Sequence, residues 1–151
     1  MHRFERLVAE LREEMGLTGC PGIEGTRRLL AHLADQVRFY HRSDPAASAC
    51  LHWPDGTATI WAPDDRPEIC SHEVAHALIH AGLATWLEMH GAVMAERQRG
   101  REEREAERFA RAWLLPVDVF AYFDEDEAMA LSGCDRIAVR QRREELEGAL
   151  L

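Results

Sequence analysis

A chain of 151 residues, 46% hydrophobic and 30% charged, has the size and composition of one globular domain with a buried core. Its formal net charge of -9 argues against nucleic acid as a direct partner. No apolar run approaches the roughly 18 residues of a membrane span, and the charged, periodic start Met1–Arg6 lacks the apolar core of an export signal, so a cytoplasmic protein is expected.

The first segment sets Phe4, Leu7, Val8, Leu11 and Met15 at helical spacing and stops at Gly16 and the Gly19-Cys20-Pro21-Gly22 cluster. A second amphipathic helix is expected after Thr26, read as its N-cap, with Leu29, Leu30, Leu33 and Val37 on one side. Phe39, Tyr40 and His41 suit either an extension of that helix or a strand. Residues 49–53 and 57–61 flank Pro54-Asp55-Gly56 and read as an antiparallel hairpin. Asp64 or Asp65 is placed to cap a third helix with Pro67 in its first turn, running to Ala81 with Gly82 as its stop. Residues 83–100 look helical at Leu83, Trp86, Leu87 and Met89, but Gly91 and Gly100 interrupt. A strong helix over 101–115 carries Ala106, Phe109, Ala110 and Trp113 as its apolar stripe, and Pro116 closes it. An acidic segment, Asp124–Glu127, leads into two short helices separated by Ser132-Gly133.

Cys20, Cys50, Cys70 and Cys134 are widely spaced and form no C-x-x-C pair, which suits free thiols. The basic residues Arg136, Arg140, Arg142 and Arg143 read first as a solvated helix face, with DNA contact as a weaker reading.

The pattern richest in chemistry is His72-Glu73-Val74-Ala75-His76. Histidines four apart on a helix share a face, so both imidazoles can reach one ion, and a glutamate beside the first can take a proton from water. Val74, Ala77, Leu78 and Ala81 form an apolar stripe on the opposite side, which leaves the histidines facing a cleft. A third ligand is required. His80 lies one turn too far along the same helix to close on the ion, and is read as a core histidine or one that supports the ligands from behind. Acidic side chains on the 101–115 helix remain. Glu103 and Glu102 lie roughly 60° and 40° from Ala106 around the helix, whereas Glu105 and Glu107 lie roughly 100° away, so geometry favours Glu103 or Glu102. Cys70 is read as a small buried hydrophobe. Tyr40, Tyr122, His41, His52 and His90 are all candidates to stabilise an oxyanion, without a ranking.

The string Glu103-Arg104-Glu105-Ala106-Glu107-Arg108-Phe109-Ala110-Arg111-Ala112-Trp113-Leu114-Leu115-Pro116 resembles the E-x-x-A-N/D-x-F-A-x-x-L-L-M-P signature of the ImmA/IrrE family of zinc metallopeptidases, and His72–His76 with trailing His80 resembles that family's active-site helix. Two departures stand out: Glu107 replaces Asn or Asp, and Trp113-Leu114-Leu115-Pro116 replaces Leu-Leu-Met-Pro. The resemblance covers about residues 57–116. It implies Zn²⁺ held by His72, His76 and Glu103, Glu73 as general base, and Glu107 and His80 orienting the ligand histidines. It further implies an α+β, mainly helical, zincin-like single domain over residues 1–151, with a small antiparallel sheet beside the active-site helix and residues 117–151 as a helical, helix-turn-helix-like extension. The implied activity is hydrolysis of a peptide bond in a helix-turn-helix transcriptional repressor of a mobile element or stress regulon. The alternative is a non-catalytic zincin-like module that binds a repressor or toxin partner. Neither reading needs direct contact with nucleic acid or a membrane.

Overall fold

The computed structural model describes residues 3–80 and 83–148. Helices α1 (Arg3–Glu14) and α2 (Gly22–His32) are followed by strand β1 (Val37–His41), a 3-10 turn (Pro45–Ala47) and strands β2 (Ala49–His52) and β3 (Ala58–Ala62). Helices α3 (Pro67–Ile79), α4 (Leu83–Leu114), α5 (Val119–Tyr122), α6 (Glu125–Ser132) and α7 (Arg136–Gly148) complete the described chain. The fold is α+β and mainly helical. No helix among the described residues is long and apolar enough to cross a membrane.

The core forms where the apolar stripes meet: Val8 and Leu11 of α1, Leu29 and Leu30 of α2, Val74 and Ala75 of α3, and Phe109 and Trp113 of α4 are all buried. Trp113 is fully enclosed, and its indole N–H donates to the Thr26 hydroxyl at 3.0 Å. Truncating such a side chain costs about 3–5 kcal/mol. Thr26 is therefore not an N-cap. It lies inside α2, its hydroxyl donates to the Gly22 carbonyl at 2.7 Å, and α2 begins a full turn earlier than the apolar spacing suggests. Gly25 permits that early start, because a Cβ there would meet the Pro21 ring at 2.6 Å.

The sheet is mixed, in the order β1-β3-β2. The expected β2–β3 antiparallel hairpin is present, with Cys50 opposite Ile60 and His52 opposite Ala58. The segment that could have extended α2 is instead β1, which runs parallel to β3 with Phe39 beside Ile60. The sheet is thus not purely antiparallel. Side chains alternate across a strand. Val37, Phe39, Ile60, Cys50 and His52 therefore share one face, and Arg38, Tyr40, Thr59, Trp61 and Leu51 share the other.

Helix α3 starts at Pro67, whose fixed φ suits a first helical position, and neither Asp64 nor Asp65 caps it. Asp64 instead receives an ion pair from Arg27 at 3.3 Å and its backbone N–H donates to His41 Nδ1 at 3.1 Å. The helix ends at Ile79, with His80 as its C-cap; the expected end at Ala81 and stop at Gly82 lie outside the described residues. The 101–115 helix is the second half of α4, which is continuous for 32 residues, so Gly91 and Gly100 do not break it. Glycine weakens a helix by only about 1 kcal/mol.

Toward the C-terminus, Asp124 and Glu127 form a reciprocal capping box at the start of α6, and Gly133 closes that helix at φ 75°. Buried Arg142 of α7 ties three elements together. It bonds both Glu5 carboxylate oxygens and donates to the Leu115 carbonyl at 2.9 Å, while Arg111 of α4 donates to Glu145 at 2.9 Å. Arg136 and Arg140 pair with Glu125, and Arg136 also with Asp126, so much of the positive charge in this tail is balanced within the fold.

Candidate metal centre

Two helices position the site. The His72 and His76 rings stand one turn apart on α3, and α4 packs alongside with Glu103 opposite them. His72 Nε2 lies 3.0 Å from Glu103 Oε2, His76 Nε2 lies 2.9 Å from Glu103 Oε1, and the two Nε2 atoms lie 3.1 Å apart. The imidazoles are largely buried, at 21% and 15% side-chain exposure, while Glu103 at 54% opens to solvent.

This donor set fits a divalent cation. A tetrahedral zinc site with bonds of about 2.0–2.2 Å has ligand atoms roughly 3.4 Å apart, close to the spacing here. Two imidazoles whose Nε2 atoms face each other also share protons poorly, because at most one proton can lie between the two nitrogens. One cation would satisfy all three donors. Burial, followed by the neighbouring His72, holds the His76 pKa below its usual value, which keeps its ring neutral and able to ligate.

Of the acidic residues weighed for the third position, Glu103 is the one placed on the histidine pair. Glu102 is buried at 4% exposure, and Glu105 pairs with Arg3 and Arg101. Glu107 is exposed and stands with His72 on the wall of a separate groove of about 360 Å³; among the described residues it makes no hydrogen bond to a histidine. His80 does. Its Nδ1 lies 2.9 Å from His76 Nδ1, so with a cation on His76 Nε2 the His76 Nδ1–H would donate and His80 would accept. His80 is buried, and burial pushes its pKa down to about 4, which keeps it neutral for that task.

Glu73 follows His72 and lines a cleft of about 270 Å³ with Ser48, Ala49, Cys50, His52, His76, His80 and Glu103. Burial, and secondarily the Glu103 charge, raises its pKa to about 7. A carboxyl group with that pKa can both accept and return a proton near neutrality. Cys70 lies away from the cluster, buried, with its thiol on the Pro63 carbonyl at 2.9 Å. All four cysteines are free.

The β wall of the site is only half legible in the sequence: His52 is an unranked oxyanion candidate and Cys50 reads only as a free thiol. Cys50 and His52 reach the cleft because the β2–β3 register turns both toward α3. The alternation of β2 already pairs them on one face; which face met α3 depended on tertiary packing.

No known family profile matches the chain, and no curated protein matches it. A solved structure described as a Mycobacterium tuberculosis transcriptional regulator is similar over 94% of this chain, with a TM-score of 0.66 and 17% identity. The chain spans 55% of that protein's length. At this identity the likeness is one of fold.

Proposed function

We propose that the chain is a zinc-dependent endopeptidase of the ImmA/IrrE type that cleaves a helix-turn-helix transcriptional repressor. The observation that carries the reading is the convergence of His72, His76 and Glu103 within hydrogen-bonding distance of one another, with the buried Glu73 in the same cleft. Zn²⁺ bound by these three residues would polarise the scissile carbonyl and lower the pKa of its water towards 7. Glu73 accepts the proton of the attacking water and returns it to the leaving amine. His80 holds the His76 ring in the tautomer that presents Nε2. Strand β2 is an edge of the sheet, and Ala49 and Cys50 on it line the cleft, so an extended peptide can add beside β2 and bring its backbone to Glu73. An acidic protein is also suited to meeting a basic DNA-binding substrate.

The test is incubation of purified protein, with one equivalent of zinc, and a candidate repressor. Defined fragments that disappear with chelator and with Glu73→Gln support the peptidase. Tight binding without fragments supports instead the non-catalytic module that holds a repressor or toxin partner.

A further inference from the structure

Peptide hydrolysis needs a donor at the carbonyl oxygen, where negative charge develops as water adds. The sequence offers Tyr40, Tyr122, His41, His52 and His90. Tyr40 stacks against Trp61, 6.4 Å between ring centres, on the sheet face turned away from α3. Tyr122 is 80% exposed on α5. His41 accepts the Asp64 backbone N–H. The His90 side chain lies outside the described residues. His52 alone among the described candidates lines the cleft that holds Glu73, His76 and Glu103.

We propose that His52 is a catalytic residue that donates an imidazole N–H to the carbonyl oxygen of the scissile peptide. This inference rests on the peptidase reading above. Cys50, two residues earlier on the same face, positions the ring. Its Sγ lies 3.8 Å from His52 Nε2. Burial, with the nearby Glu73 charge, pushes the Cys50 thiol up to about 12, so it remains S–H and can donate weakly to Nε2. With Nε2 as acceptor, the ring proton sits on Nδ1, which makes no hydrogen bond among the described residues and is free to meet substrate.

In the step itself, the water oxygen forms a bond to the carbonyl carbon, its proton passes to Glu73, and the carbonyl π pair moves onto oxygen. His52 keeps its proton and donates a hydrogen bond to that oxygen. When the pair returns, the C–N bond breaks and Glu73 delivers the proton to the amine. His52 ends unchanged.

The experiment compares zinc-loaded wild type, His52→Ala and His52→Gln on the cleaved repressor, with zinc stoichiometry measured for each. It also measures binding of a peptide phosphonate, whose tetrahedral anion mimics the charged oxygen. For His52→Ala, kcat should fall about 10²- to 10³-fold with KM nearly unchanged. Phosphonate affinity should fall in parallel and zinc should stay at one per chain. Gln, which retains an N–H donor, should recover part of both losses. Undiminished kcat and phosphonate affinity in His52→Ala, or a loss confined to KM, would overturn the role of His52 and leave the peptidase reading standing. A wild type that never cleaves overturns both.

Discussion

Two clusters of ionisable side chains join distant segments of this chain, and they balance their charges differently. In the first, Arg142 is 1% exposed and meets Glu5, Glu145 and the Leu115 carbonyl, while Arg111 meets Glu145. Each buried cation has an anion from the protein, so the cluster closes on itself and ties α1, α4 and α7 together. In the second, His72 and His76 bring two ring nitrogens to one carboxylate, and every atom at its centre is a potential donor of a lone pair. Both clusters are polar and largely buried, but the first is composed as a structural clamp and the second as a ligand set. Burial and proximity alone do not distinguish structure from function; the proton and charge balance does.

Changes on each side should sharpen that contrast. The largest effect is expected from Glu73→Gln, which should lower kcat on a cleaved repressor by about 10²- to 10⁴-fold with zinc content and thermal stability retained. Kinetics beside metal analysis would check it, and retained activity would remove Glu73 from the mechanism. Arg142→Leu should leave zinc affinity alone but destabilise the fold by about 3–5 kcal/mol, since Glu5 then keeps an unpaired, nearly buried charge. Adding Glu5→Leu should recover part of that loss in urea titrations, as expected for a self-balanced pair.

His80→Leu should weaken zinc binding about 10- to 100-fold by removing the acceptor for His76 Nδ1. Its pH dependence provides a second readout on metal-free protein. The folded-state pKa of His80, about 4, is depressed from 6.5, so its contribution to stability is complete above 6.5 and is lost as pH falls towards 4. The variant should show a shallower acid limb over that window. The smallest effect is expected from Arg136→Ala. This residue's side chain is 46% exposed, and the change should cost less than about 1 kcal/mol despite removing two ion pairs. A larger loss would mean that the α6–α7 contact is a clamp of the Arg142 kind.

Much of this arrangement was legible from residue spacing. The four-residue separation of His72 and His76 is a property of one helix, and the angular position of Glu103 on α4 narrowed the acidic candidates to two before the resemblance singled it out. The β2–β3 hairpin was legible from its Pro-Asp-Gly turn, and the α6–α7 pair from Ser132-Gly133. What spacing could not convey was tertiary. β1 is a strand because β3 offers a parallel partner, a pairing that no local period encodes. Thr26 looked like a cap because hydroxyls commonly sit there, yet its partner is Trp113, 87 residues away. Helix α4 passes through Gly91 and Gly100 although both glycines disfavour it. At the site, His80 takes the place at His76 that the resemblance also allowed to Glu107, because a residue four positions beyond His76 stands over its outer nitrogen whereas Glu107 faces another groove.

The central claim is that His72, His76 and Glu103 hold one divalent cation. Its most direct test is zinc titration of metal-free wild type beside Glu103→Ala, followed by calorimetry. One zinc per wild-type chain, with binding lost or greatly weakened in the variant, is the predicted result. Wild type that takes up no zinc, or a variant that binds it as tightly, would contradict the account.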